Sequence, residues 1–220
     1  MRPPHTRGIA AALLAAALAG CGSAMAAQTP PQPAAGGRGA SPAAGDTVPR
    51  RWTEADVRFM SAMIGHHAQA IEMARMAPTH GAGPQVRTLA ERIINAQQDE
   101  IASMQLWLRD RAQPVPEPHA GGAHQHHAAG HDTMPGMLTE AQMKQLDEAR
   151  GEEFDRLFLT FMIQHHQGAV RMVSELFSSY GAGQDETVFK LASDVNVDQL
   201  TEIARMQRML ADLLFGSPSP

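Results

Sequence analysis

The chain has 220 residues, 43% of them hydrophobic but only 5% aromatic, with 18 basic residues against 23 acidic ones. The formal charge of −5 comes without a basic patch and so argues against a nucleic-acid role, and a single cysteine excludes an internal disulfide. Stability must come from a packed core, and 14 methionines against 7 phenylalanines make that core aliphatic and sulfur-rich.

Residues 1–20 read as a signal peptide. Arg2 and Arg7 precede an apolar run from Ile9 to Ala19, too short to cross a bilayer. "LAGC", ending at Cys21, fits a bacterial lipobox with Cys21 as the lipidation site, while "AMA" at Ala24 to Ala26 would suit ordinary cleavage. Loss of Arg2 and Arg7 leaves 16 basic against 23 acidic residues, a mature charge of about −7. The expected destination is the cell envelope, as an anchored lipoprotein or a periplasmic protein. Residues 21–50 are rich in Pro, Gly and Ala, bury little, and are expected to act as a disordered tether.

The expected folded domain spans 51–215. "TEAD" at Thr53 is a capping-box-like helix start, apolar residues recur at helical spacing to Ala77, and Pro78 ends the run. "GAGP" (Gly81 to Pro84) turns the chain into a helix reaching about Arg111, with Val86, Leu89, Ile93, Ile94, Ile101, Met104 and Leu108 inward. Residues 112–137 form a His-rich linker expected to be flexible, carrying His119, His124, His126, His127 and His131 as loose metal scavengers. A leader then begins at Thr139, a long helix reaches about Tyr180, "GAG" (Gly181 to Gly183) makes a turn, and a last helix stops before Gly216.

The two halves are a duplication. Adding 99 carries Asp56 to Asp155, Met63 to Met162, His66 to His165, His67 to His166 and Met73 to Met172. In the partner helices a shift of 102 carries Gln97 to Gln199 and Met104 to Met206. Two helical hairpins with short turns predict an all-α chain packed as an antiparallel four-helix bundle.

Phe59, Met63, His66, Ala70, Met73 and Ala77 follow steps of 4, 3, 4, 3 and 4, the spacing of a seam facing another helix. Phe158, Met162, His165, Ala169, Met172 and Leu176 repeat it. His67 and His166 lie about 100° round the helix, on a second apolar row. A buried imidazole without a partner costs a few kcal/mol, roughly, so something must engage these nitrogens. Gln97, Gln199, water or a metal could each serve. Imidazole is a common metal ligand and thioether sulfur prefers Cu(I), so copper suits this set best among metals. Against it stands the ordinary use of methionine as core filling.

"MIGHHAQAIEMA", "MIQHHQGAVRMV", the Q-x3-I-x2-M of each partner helix and "MPGML" resemble domain-of-unknown-function family 305. The resemblance runs from about Arg51 to Leu214. It implies a ferritin-like fold and, for some secreted members, copper binding that helps cells tolerate the metal. Its metal-binding candidates fall on Met63, His66, His67, Met73 and Met104, and on Met162, His165, His166, Met172 and Met206.

No catalytic residue is expected. Di-iron bundles need Glu-x-x-His, which is missing here, and no H-E-x-x-H or nucleophile arrangement occurs. The favoured expectation is an envelope copper buffer or chaperone. The alternative is a metal-free bundle acting as an interaction module, with its histidines hydrogen-bonded to Gln97 and Gln199.

Overall fold

The computed structural model describes residues 51–119 and 134–216. The expectations placed on residues 1–50, Cys21 among them, and on His124, His126, His127 and His131 lie outside that range. The described residues form five helices and no strand, so the chain is all-α: α1 (Glu54–Met76), α2 (Pro84–Asp110), α3 (Glu140–Glu148), α4 (Gly151–Ser178) and α5 (Glu186–Phe215).

The helix ends follow the local chemistry. Thr53 caps α1 in both directions: its hydroxyl accepts from Asp56 N, and Asp56 Oδ2 accepts from Thr53 N at 2.7 Å. Pro84 opens α2 where its missing N–H costs nothing. Asp185 caps α5 by accepting from Thr187 N and Val188 N, and the same carboxylate takes Trp107 Nε1 and Arg111 Nη2 from the far end of α2.

The second half departs from a simple copy of the first. Its leader is a separate helix, α3, because Ala149 and Arg150 are extended and Gly151 takes φ +59°. That left-handed value suits glycine, and Gly151 N donates to His80 O at 2.8 Å. The corner depends on a carbonyl from the other half, a contact that no local pattern announces.

α1 packs on α2, α4 on α5, and α1 on α4. The two hairpins are also cross-tied by a duplicated clasp. Asp56 Oδ1 accepts from Gly183 N at 2.7 Å, while Asp155 accepts from Gly83 N at 3.0 and 3.2 Å. Each aspartate on a first helix thus holds the turn of the opposite hairpin.

The seam residues are buried as their spacing requires; Met63, His66, Ala70, Met73, Phe158, Met162, His165 and Ala169 are all fully inaccessible. The apolar residues form two clusters. One holds Met63, Met104 and Met172; the other holds Met73, Met162 and Met206. Between them along every long helix comes a polar level: His66 and His67, Gln97, His165 and His166, Gln199. Both ends of the His-rich linker pack against the helices. Val115 and Met134 join the Met63 cluster, and Gln105 Nε2 donates to Pro116 O.

Candidate functional site

The four histidines of the duplicated motif meet where α1 crosses α4. The His66 and His165 rings lie 3.9 Å apart between centroids, each about 6.3–6.4 Å from its chain neighbour His67 or His166. None is accessible to solvent. A protonated imidazole here would be a desolvated cation beside other imidazoles. Burial, reinforced by the charge of His67, pushes His66 down to about 3 despite its hydrogen bond with the Pro135 carbonyl. Burial and the neighbouring histidines hold His165 well below its ordinary range. These two rings are neutral at neutral pH.

Their polar atoms are poorly satisfied. His66 Nδ1, His166 Nδ1 and both ring nitrogens of His67 and of His165 have no hydrogen-bond partner. Buried polar atoms are paired in the great majority of cases, so six orphaned imidazole nitrogens in one level mark a place built for something else.

The partners that do exist differ from those the sequence suggested. Gln97 leaves both amide atoms unpartnered and Gln199 leaves Oε1 so, and neither satisfies an orphaned imidazole nitrogen. Instead Glu202 Oε2 lies 2.7 Å from His166 Nε2 in a hydrogen bond, and Glu100 Oε2 lies 2.7 Å from His67 Nε2. The second is a close contact that does not form a hydrogen bond. Both carboxylates are mostly covered, with side chains 14% and 13% exposed. The signal for them was present: Glu100 plus the helix shift of 102 is Glu202. Glutamate three residues beyond Gln97 reads as a solvated helix face, which hides it.

The carboxylates open onto a cleft of about 150 Å³ between α2 and α5, lined also by Gln97, Gln199, Arg92 and Asp198. Burial, then the charges of Glu100, Glu202 and Asp194, raise the Asp198 carboxyl above its ordinary value.

The opposite approach is covered by the strap Met134 to Leu138. Pro135 O accepts from His66 Nε2 at 3.0 Å. Gln69 pairs with both backbone groups of Leu138, at 2.8 and 3.0 Å. A Cβ on Gly168 would fall 1.9 Å from Pro135 O, so only glycine lets the strap reach α4.

The six methionines proposed as sulfur ligands are buried at 7% exposure or less, three in each apolar cluster on either side of the histidine level. His119 is exposed, with its carbonyl beside Gly65, and is not part of this level. Among the described residues no three His, Cys, Asp or Glu side chains are arranged to hold a metal ion by themselves.

Solved structures resemble this chain along most of their length. A secreted protein from Streptomyces coelicolor shares 27% identity over 76% of this chain and 98% of its own, with a TM-score of 0.61. A fragment from Deinococcus radiodurans shares 32% over 73% and 97%, again at 0.61. CopM, solved in a Cu(II)-bound form, shares 32% over 71% and 96% at 0.57. The same protein in a Cu(I)-bound form shares 31% over 75% and 99% at 0.54. Among curated proteins no relative matches. The model of the family described as Domain of unknown function (DUF305) matches residues 56–210, and the chain belongs to that family.

Proposed function

We propose that this protein binds copper in the cell envelope, as a buffer or chaperone with no catalytic step of its own. The observation that carries the reading is the set of six nitrogens without a hydrogen-bond partner on four buried histidines, flanked by two methionine clusters. The donor set fits the metal. Neutral imidazoles supply lone pairs without a proton to displace, and thioethers add soft sulfur, which Cu(I) prefers. With no three-ligand cage of His, Cys, Asp or Glu among the described residues, an ion in this level would draw on methionine. CopM, which adopts a similar fold at 31–32% identity, binds Cu(I) and Cu(II).

Several finer features belong to the same proposal. The two hairpins close as an antiparallel, ferritin-like four-helix bundle with α3 appended. Residues 1–20 direct export, and Cys21 carries the lipid anchor. The linker histidines supply a looser, exposed metal-binding stretch.

The test is Cu(I) competition against a strong chelator with the mature protein, followed by thermal melting. A ligand at a hundred times its Kd stabilises by about 2.7 kcal/mol, which for a domain of this size raises Tm by roughly 5–10 °C. The quadruple variant Met63→Leu, His66→Gln, Met162→Leu, His165→Gln should keep its helical circular dichroism and lose that rise. Wild-type protein whose melting ignores Cu(I) would sink the proposal.

A second reading has one observation in its favour: Glu202 and Pro135 already engage His166 and His66, as a metal-free interaction module would require. In that case Cu(I) would leave Tm unchanged, and the quadruple variant would melt no differently in its presence.

A further inference from the structure

The proton on an imidazole sits where an acceptor awaits it, and here the acceptors are fixed. A carboxylate oxygen donates nothing, so the 2.7 Å hydrogen bond from His166 to Glu202 requires the proton on Nε2. Glu100 Oε2 lies 2.7 Å from His67 Nε2, too close for an anionic oxygen to sit comfortably against an unprotonated ring nitrogen, so the contact favours the proton there although it forms no hydrogen bond. The Pro135 carbonyl imposes the same form on His66. In the neutral form of each ring the remaining nitrogen, Nδ1, carries the lone pair, and in each it is buried without a hydrogen-bond partner.

We infer that Glu100 and Glu202 are positioning residues that lock His67 and His166 as Nε2–H tautomers, and that Nδ1 is the atom these histidines offer to a metal. The assignment of Nδ1 as ligand rests on the copper reading; the tautomers do not. Carboxylates that hold the far nitrogen of a ligating histidine orient the ring and raise the basicity of the nearer one. Here the device is duplicated: α2 supplies one carboxylate and α5 the other, at positions related by the same shift that relates Gln97 to Gln199. Each carboxylate also faces the α2/α5 cleft, so its negative charge lies between solvent and the histidine level.

Long-range nitrogen–proton NMR on metal-free, ¹⁵N-labelled full-length mature protein tests the tautomers. His66, His67 and His166 should each show a protonated Nε2 and an unprotonated Nδ1 at neutral pH. In the Glu100→Ala, Glu202→Ala double variant, His67 and His166 should become tautomer mixtures while His66 keeps its form. The Glu→Gln pair retains an oxygen acceptor and should restore much of the wild-type pattern. Anaerobic addition of Cu(I) should then move the Nδ1 resonances more than the Nε2 ones. The alanine pair should weaken Cu(I) binding by about tenfold to a hundredfold, the usual loss when such outer partners are removed.

A protonated Nδ1 on His67 or His166 in the metal-free protein overturns the inference outright, as does an unchanged tautomer in the alanine pair. If the tautomers are as stated but Cu(I) shifts no imidazole, the copper reading fails, and the ligand assignment with it. If Cu(I) shifts Nε2 instead, copper binding stands and the ligand assignment fails.

Discussion

Buried neutral histidines make the fold sensitive to acid. The folded pKa of His66, about 3, lies below the unfolded value near 6.5, and His165 is displaced in the same direction. Below about pH 6.5 the unfolded chain therefore binds more protons than the folded one. The stability these rings contribute is complete above that pH and is lost as the pH falls toward 3. Each should add a slope of up to about 1.4 kcal/mol per pH unit in that window. Urea midpoints at pH 7, 6, 5 and 4 should fall steadily, and the His66→Gln, His165→Gln variant should show a shallower decline. An unchanged decline would place the acid sensitivity elsewhere. A separate expectation concerns Gly168. An alanine there would drive its methyl into the Pro135 carbonyl, so Gly168→Ala should cost on the order of 2–4 kcal/mol in urea unfolding or detach the strap. The histidines and methionines of the candidate site could be picked out because duplication set them apart from ordinary core filling, and the structure buries all of them. The Pro135 carbonyl was not, because a backbone acceptor has no residue type to betray it.

At the level of elements, local chemistry was an accurate guide wherever the stop signal lay in the chain itself. Thr53 with Asp56, Pro78, Pro84 and Gly216 mark helix ends that the structure reproduces within a residue. The break between α3 and α4 could not be read, since it depends on His80 and Gly151 meeting across the two halves. Asp155 was visible only as the repeat partner of Asp56, itself read as a capping residue, and the clasp of both on the opposite turns gives them a further structural role. Asp56 is fully buried and holds Thr53 N, Thr53 Oγ1 and Gly183 N. Asp56→Ala removes the acceptor and leaves a buried N–H of Gly183 unsatisfied. It should lower stability by about 2–4 kcal/mol in denaturant unfolding, and Asp155→Ala, whose aspartate is less covered in bonds, by less. Equal and negligible losses from both would mean that the clasp contributes geometry without energy.

Across the whole molecule, the periodicity of 3.6 made the all-α class and the paired hairpins legible, because helices that bury one face must repeat it. The polar level that divides the core was legible only in part. Its histidines stood out in an oily seam, while Glu100 and Glu202 looked like any charged helix surface. One further feature bears on the molecule as a whole. The carbonyl of His119 and the terminal methyl of Met134 both come within 4.0 Å of where a Cβ on Gly65 would sit, so the described residues on either side of 120–133 meet α1 at one spot. A segment with its two ends held side by side is an exchangeable cassette. Closing a loop twice as long costs only about 0.6 kcal/mol more. Replacing 120–133 with Gly-Ser sequence of equal or double length should therefore change the unfolding free energy by less than about 1 kcal/mol, and a larger loss in urea melts would show that the replaced residues bind the helices. The number of histidines between 119 and 134 can thus change without renegotiating how the helices pack.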